Sequence, residues 1–171
     1  MSGWEQAGAR LSLLIDPDRE TARAARPALL ERGLELVHAR AGVAGLELIQ
    51  RMRDSFVLVI VSLNLRDLPG AVVIETLRLF RPDLPLVCLT DVDGGGPVYH
   101  AAACVSKPIR DLEFKLQLEG ALLGTSAPVL LATVDPQAVE RARWRYTETS
   151  DLLRAAREIA RGLTEYTGDP E

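Results

Sequence analysis

The sequence predicts an α/β domain built on a doubly wound, five-stranded parallel sheet, followed by a C-terminal helical extension. Three observations carry this reading. Apolar runs of strand length alternate five times with helix-length stripes across short connections. The run Val57-Leu58-Val59-Ile60-Val61-Ser62-Leu63-Asn64-Leu65 opens with five branched apolar residues and no polar alternation, which suits a strand covered on both faces. After Gly124 the alternation stops. Chemistry in such sheets sits at the carboxyl ends of the strands, so Ser62 occupies a position of interest.

The first apolar run, Leu11 to Ile15, stops at Asp16-Pro17-Asp18 and reads as a strand and a turn, with Pro17 suited to the first turn of a helix. The segment to Arg32 carries Ala22, Ala25, Leu29 and Leu30 as a helical stripe, and Gly33 ends it. Pro27 inside that helix predicts a kink or a late start. Leu34 to Ala39 is the second strand. Gly42 opens a helix from Val43 to Arg53, with Leu46, Ile49 and Met52 on one side. The third strand is the run around Ser62. Pro69-Gly70 turns the chain into a helix from Ala71 to Phe80, and Leu86 to Leu89 forms the fourth strand, closing on Thr90.

Asp91 to Pro97 contains three glycines and a proline and cannot hold a helix interior, which leaves only Val98 to Ala102 for a short helix. Ala103 to Val105 is a short strand ended by Ser106-Lys107-Pro108, and Leu112 to Leu123 is a fifth helix. The predicted organisation is a tail over 1–10, an α/β domain over 11–123, and a linker with extension over 124–171. Within the extension, Val129 to Val134 is strand-like, Asp135-Pro136 reads as a helix cap and first residue, and Ser150-Asp151 caps a last helix. That helix carries Leu152, Leu153, Ala156, Ile159, Ala160 and Leu163 as one apolar stripe.

Composition narrows the function classes. A chain of 171 residues with 47% apolar and 26% charged residues is ordinary globular material for one domain and an appendage. Its net charge of −4 gives no footprint for nucleic acid or an anionic membrane. The two cysteines, Cys88 and Cys104, lie in apolar runs without a C-x-x-C pattern and read as small core residues in a reducing compartment. The polar start lacks an apolar signal core, and no apolar run approaches the ~20 residues of a membrane span, so a cytoplasmic location is expected.

Five short motifs occur in order: Ile15-Asp16-Pro17-Asp18, Ala41-Gly42, Val61-Ser62-Leu63-Asn64-Leu65, Leu89-Thr90 and Val105-Ser106-Lys107-Pro108, with Asp67-Leu68-Pro69-Gly70 between the third and fourth. Together they resemble the CheY-like receiver domain of bacterial response regulators over about residues 10 to 123. The resemblance implies a flavodoxin-like sheet and a phosphorylation site at its carboxyl edge. In that family an aspartate ends strand three and accepts a phosphoryl group, acidic residues after strand one hold Mg²⁺, and a lysine pairs the phosphoryl charge. A hydroxyl after strand four reads the phosphoryl group's presence.

This chain departs from the pattern at four linked places. Ser62 stands at the acceptor position, and its hydroxyl needs a base that neither His38 nor His100 is placed to be. Pro17 stands at the second acidic position, leaving Asp16, with Asp18 one step on, as weak candidates for a metal. Cys104 stands where the family has an aromatic reporter, and the span from Thr90 to Cys104 is short and glycine-rich. Thr90 and Lys107-Pro108 keep the family's types. Lys107, without a carboxylate at 62, is expected to pair with Asp16 or Asp18, and Lys107-Pro108 is expected to be cis as in the family.

Plainer readings stand beside these. Asp16 and Asp18 suit turn and cap carboxylates, and Ser62 suits a small buried residue bonded to backbone. Gly94-Gly95-Gly96 lacks the Lys-Ser/Thr of a phosphate loop. Residues 135–171 hold six arginines against eight acids, an ordinary solvated face despite Trp144 and Tyr146. The last helix either packs on its own domain or pairs with a partner through Leu152, Ala156, Ile159 and Leu163.

The expected function is a phosphorylation-independent pseudo-receiver: a signalling adaptor without enzymatic activity or cofactor, binding protein partners and not nucleic acid or membrane. A homodimer is expected through the last helix or through the face of Val98–Ala102, Ala103–Val105 and Leu112–Leu123. Two other classes remain open from the residues: a phosphorelay receiver with an unconventional acceptor or ligand input, and a flavodoxin-like cofactor-binding protein.

Overall fold

The computed structural model describes residues 10–91, 103–124 and 135–167. The expected short helix over Val98–Ala102, the glycine loop, His100 and the strand-like run Val129–Val134 lie outside them. Strands β1 (Arg10–Ile15), β2 (Leu34–Ala39), β3 (Phe56–Ser62), β4 (Leu86–Thr90) and β5 (Ala103–Ser106) form one sheet in the order β2-β1-β3-β4-β5. Every neighbouring pair is parallel. The helices are α1 (Arg19–Glu31), α2 (Gly42–Met52), α3 (Gly70–Phe80), α4 (Asp111–Leu123), α5 (Pro136–Arg145) and α6 (Leu152–Thr167).

Strand alternation sorts the apolar side chains onto two faces. Leu58 and Ile60 of β3 join Leu14, Val87, Leu89 and Val105 beneath α1 and α4, with Phe114 and Leu118. Phe56, Val59 and Val61 turn the other way, with Leu13, Ile15 and Cys88, onto α2 and α3. Both faces of β3 are therefore covered, as its unbroken apolar run predicts.

Several local expectations are corrected. Helix α1 starts at Arg19 and not at Pro17, because the Asp18 carboxylate accepts the Glu20 N–H at 2.9 Å and makes Asp18 the cap. Pro27 sits inside α1 without delaying its start. Leu30 is 54% exposed, since its neighbour Leu29 takes the inward position. Strand β3 stops at Ser62, short of Leu65: the Leu63 carbonyl leaves the ladder and accepts the Gly70 N–H at 3.2 Å. Gly70 has to be glycine there, because a Cβ would strike the Ser62 carbonyl oxygen and lie 2.6 Å from Leu63 Cα. Gly33 ends α1 at φ 74°, the left-handed conformation a side chain would disfavour.

The extension folds back. Asp135 accepts the Gln137 N–H at 3.0 Å and starts α5 with Pro136 first, as its sequence predicts. Helix α6 then lies across α2 and α3, burying Leu152, Ala155, Ala156 and Ile159 completely. Gln50 Nε2 donates to the Ser150 carbonyl at 2.8 Å and ties α2 to the turn before α6. Leu152, Ala156 and Ile159 are thus core residues of this chain, and the reading of them as a partner-facing surface is corrected. The Leu163 side chain lies outside the described set. Covering a leucine or isoleucine fully stabilises by about 1.5–3 kcal/mol, so α6 is an integral third layer on that side of the sheet.

Candidate functional site

The parallel sheet brings the ends of β1, β3, β4 and β5 to one edge, and with them Asp16, Ser62, Thr90 and Lys107. Asp16 is fully buried. Its Oδ2 accepts from Lys107 Nζ at 2.9 Å, and its Oδ1 accepts the Asp18 N–H at 2.7 Å. Its own N–H donates to the Ala39 carbonyl at 3.0 Å, which fixes its backbone to the end of β2. The expected ion pair of Lys107 is therefore made with Asp16, not Asp18, whose carboxylate caps α1.

Lys107 has a second acidic neighbour, Asp91 Oδ1 at 3.5 Å, and its N–H donates to the Thr90 carbonyl at 2.7 Å. Burial works against its charge, but the hydrogen bond and charge of Asp16, and then Asp91, outweigh it and hold the ammonium above the usual lysine range. The Lys107-Pro108 bond is cis, as the resemblance implies. Thr90 Oγ1 faces Ser106 Oγ at 3.5 Å.

Ser62 is 1% exposed, and its hydroxyl has no hydrogen-bond partner among the described residues. The expected bond to backbone is absent, which corrects that part of the reading. His38 is closer to the site than its place in the sequence suggests: Nε2 donates to the Asp16 carbonyl at 2.7 Å. That nitrogen is occupied by a backbone acceptor. Cys104 lies on β5 beside Cys88 of β4.

A Mg²⁺ ion, which the fold family implies here, does not fit these donors. Both Asp16 oxygens are engaged, Pro17 offers no side-chain ligand, and Ser62 replaces a carboxylate with a neutral hydroxyl. Among the described residues no three His, Cys, Asp or Glu side chains gather as a metal site. Beside the ion pair, a cleft of about 510 Å³ runs along α1, lined by Asp18, Glu20, Thr21, Asp91, Lys107 and Pro108.

Two contacts escape the sequence reading. Asp91 follows Thr90 directly, so its place at the sheet edge was available as a signal. Asp67 reads only as part of a turn, yet it accepts the Gly42 and Val43 N–H groups at 2.9 and 2.8 Å and caps α2 from across the chain. Burial favours its neutral form, but the N–H groups of Val43, Gly42 and Leu68 prevail and hold its carboxyl below the usual range.

No family model matches the chain. It is 29% identical to the photosynthetic apparatus regulatory protein RegA of Rhodovulum sulfidophilum over 140 residues, covering 80% of this chain and 74% of that protein. RegA of Rhodobacter capsulatus is 27% identical over 143 residues, 81% of this chain and 75% of that one. Among solved structures, a CheY-like receiver domain from Methanospirillum hungatei superposes with a TM-score of 0.58 at 20% identity, over 68% of this chain and 95% of that one. The receiver domain of NtrX from Brucella abortus gives 0.56 at 20% identity, over 66% and 98%. Strand order and these superpositions agree that the chain has the CheY-like receiver fold, extended among the described residues by two C-terminal helices.

Proposed function

We propose that this protein acts in signal transduction as a pseudo-receiver, a protein-interaction module that works without aspartyl phosphorylation. The carrying observation is Ser62: a buried hydroxyl, without a partner among the described residues, stands at the end of β3, where a reactive carboxylate is required. A serine hydroxyl has a pKa far above 7 and needs a base, while the His38 nitrogen nearest the site is held by a carbonyl. Lys107, which would otherwise meet a phosphoryl group, is paired with Asp16 and Asp91. The likeness to RegA supports a regulatory role.

In this reading the protein is not an enzyme, holds no cofactor and acts in the cytoplasm through protein contacts, not nucleic acid. Helices α5 and α6 cover α2 and α3, so the contact surface is the opposite part of the molecule around β5 and α4. There Leu112 and Leu116 are 72% and 61% exposed, one helical turn apart. The test is titration with acetyl phosphate or beryllofluoride and Mg²⁺, read by NMR at Thr90 and Lys107. Unchanged resonances are expected; saturable shifts at both residues would overturn the reading.

A further inference from the structure

We propose that Cys88 and Cys104 form a peroxide-oxidisable dithiol that closes to a disulfide across β4 and β5. The two residues are direct Cα partners in the parallel ladder between those strands. Neighbouring strands run about 4.8 Å apart, inside the span of about 4.4–6.8 Å that a disulfide bridges between Cα atoms. Both side chains leave the sheet on the same face: Cys88 is part of the cluster beneath α2 and α3, and Cys104 packs against it, while Val87, Leu89 and Val105 take the other face. Both cysteines are free.

The pair is asymmetric in a way that assigns roles. Cys88 is completely buried and Cys104 only half-buried, so Cys104 is the sulfur a small solute reaches. The neighbouring Cys88 thiol favours the Cys104 thiolate against the opposing effect of burial. The Cys104 sulfur beside it, with burial, pushes the Cys88 thiol up.

Hydrogen peroxide is the oxidant. The Cys104 thiolate attacks one peroxide oxygen, forming S–O as O–O breaks, and the departing hydroxide takes a proton to become water. Cys88 sulfur then attacks Cys104 sulfur, forming S–S as S–O breaks, and the second hydroxide leaves as water with the Cys88 proton. Two thiols lose two electrons and two protons; one peroxide becomes two waters. The bridge would clamp β4 to β5 two residues below Thr90 and Ser106, at the base of the Lys107 site. This inference does not depend on the proposed function.

The test treats the purified full-length chain with hydrogen peroxide, then alkylates it under denaturing conditions and measures intact mass and peptide maps. Both thiols should vanish together, with a loss of two hydrogens and a Cys88–Cys104 cross-linked peptide that dithiothreitol reverses. Unreacted thiols at excess peroxide, an oxygen adduct on Cys104 with Cys88 still free, or an interchain disulfide would each overturn it. Two variants, checked for native circular dichroism, separate the roles. Cys88→Ala should trap a dimedone-reactive sulfenic acid at Cys104, and Cys104→Ser should leave Cys88 unlabelled. Labelling of Cys88 in Cys104→Ser would contradict the assignment.

Discussion

Replacing Lys107 by methionine removes the ammonium that neutralises Asp16 while keeping the length of the apolar stem. Asp16 is fully buried and Lys107 only 17% exposed, with 2.9 Å between the charges. That places the pair among buried ion pairs, where loss of one partner costs about 3–5 kcal/mol, and away from exposed ones worth about 0–1 kcal/mol. Asp16 keeps the Asp18 N–H on its other oxygen, so a cost near the lower end, about 3 kcal/mol, is expected. With a urea m-value of about 1–3 kcal/mol/M, the midpoint of unfolding should fall by about 1–3 M.

Asp16→Asn keeps the shape and removes the charge. The double variant should therefore cost less than the two single changes summed, since the orphaned carboxylate no longer exists in it. The pH dependence has a definite sign. The folded-state pKa of Lys107 is raised above its unfolded value, so the stabilisation is complete below the unfolded lysine pKa of about 10.4 and is lost as pH climbs through the folded value. The gap between wild type and Lys107→Met should narrow in that alkaline range. A cost under about 1 kcal/mol for Lys107→Met, or strict additivity in the cycle, would refute the buried-pair account.

Further outcomes follow from other contacts. Asp67→Ala removes the cap on α2 and should cost about 0.5–2 kcal/mol by chemical denaturation. Because the Asp67 pKa is depressed, its contribution is present above the unfolded aspartate pKa of about 3.9 and disappears as pH falls through the folded value; an acid titration of both proteins should show them converging there. Gly70→Ala should cost about 1–3 kcal/mol or more, since the added methyl meets the β3 backbone and not a flexible side chain. Ile159→Ala should cost about 2–5 kcal/mol in a single cooperative unfolding transition if α6 belongs to the core, and little if α6 is a detachable appendage.

The sheet was legible because its signals are local. Short apolar runs marked β1, β3 and β4, the rule that parallel strands expose their carboxyl ends on one edge pointed to Ser62, and the receiver-family resemblance set Asp16 and Lys107 beside it. Contacts set by the path of a loop were not legible. Asp67 caps a helix 24 and 25 residues away in sequence, and no periodicity reports that. The stripe of α6 showed that a face is buried, but a period cannot tell an intramolecular cover from a partner; Leu152 and Ile159 turned out to face α2 and α3. The Ser62 hydroxyl reads as bonded to backbone, yet among the described residues it has no hydrogen-bond partner. The cysteines read singly as core fillers, and only strand register made them a pair.

The central claim is that the β3 edge performs no phosphoryl transfer. The most direct measurement is the intact mass of the full chain after incubation with acetyl phosphate and Mg²⁺, at neutral pH and without acid quenching. The account predicts an unmodified mass at every time point. A stoichiometric phosphoryl adduct, mapped to Ser62 or to an aspartate of the Asp16–Asp18 turn, would contradict it.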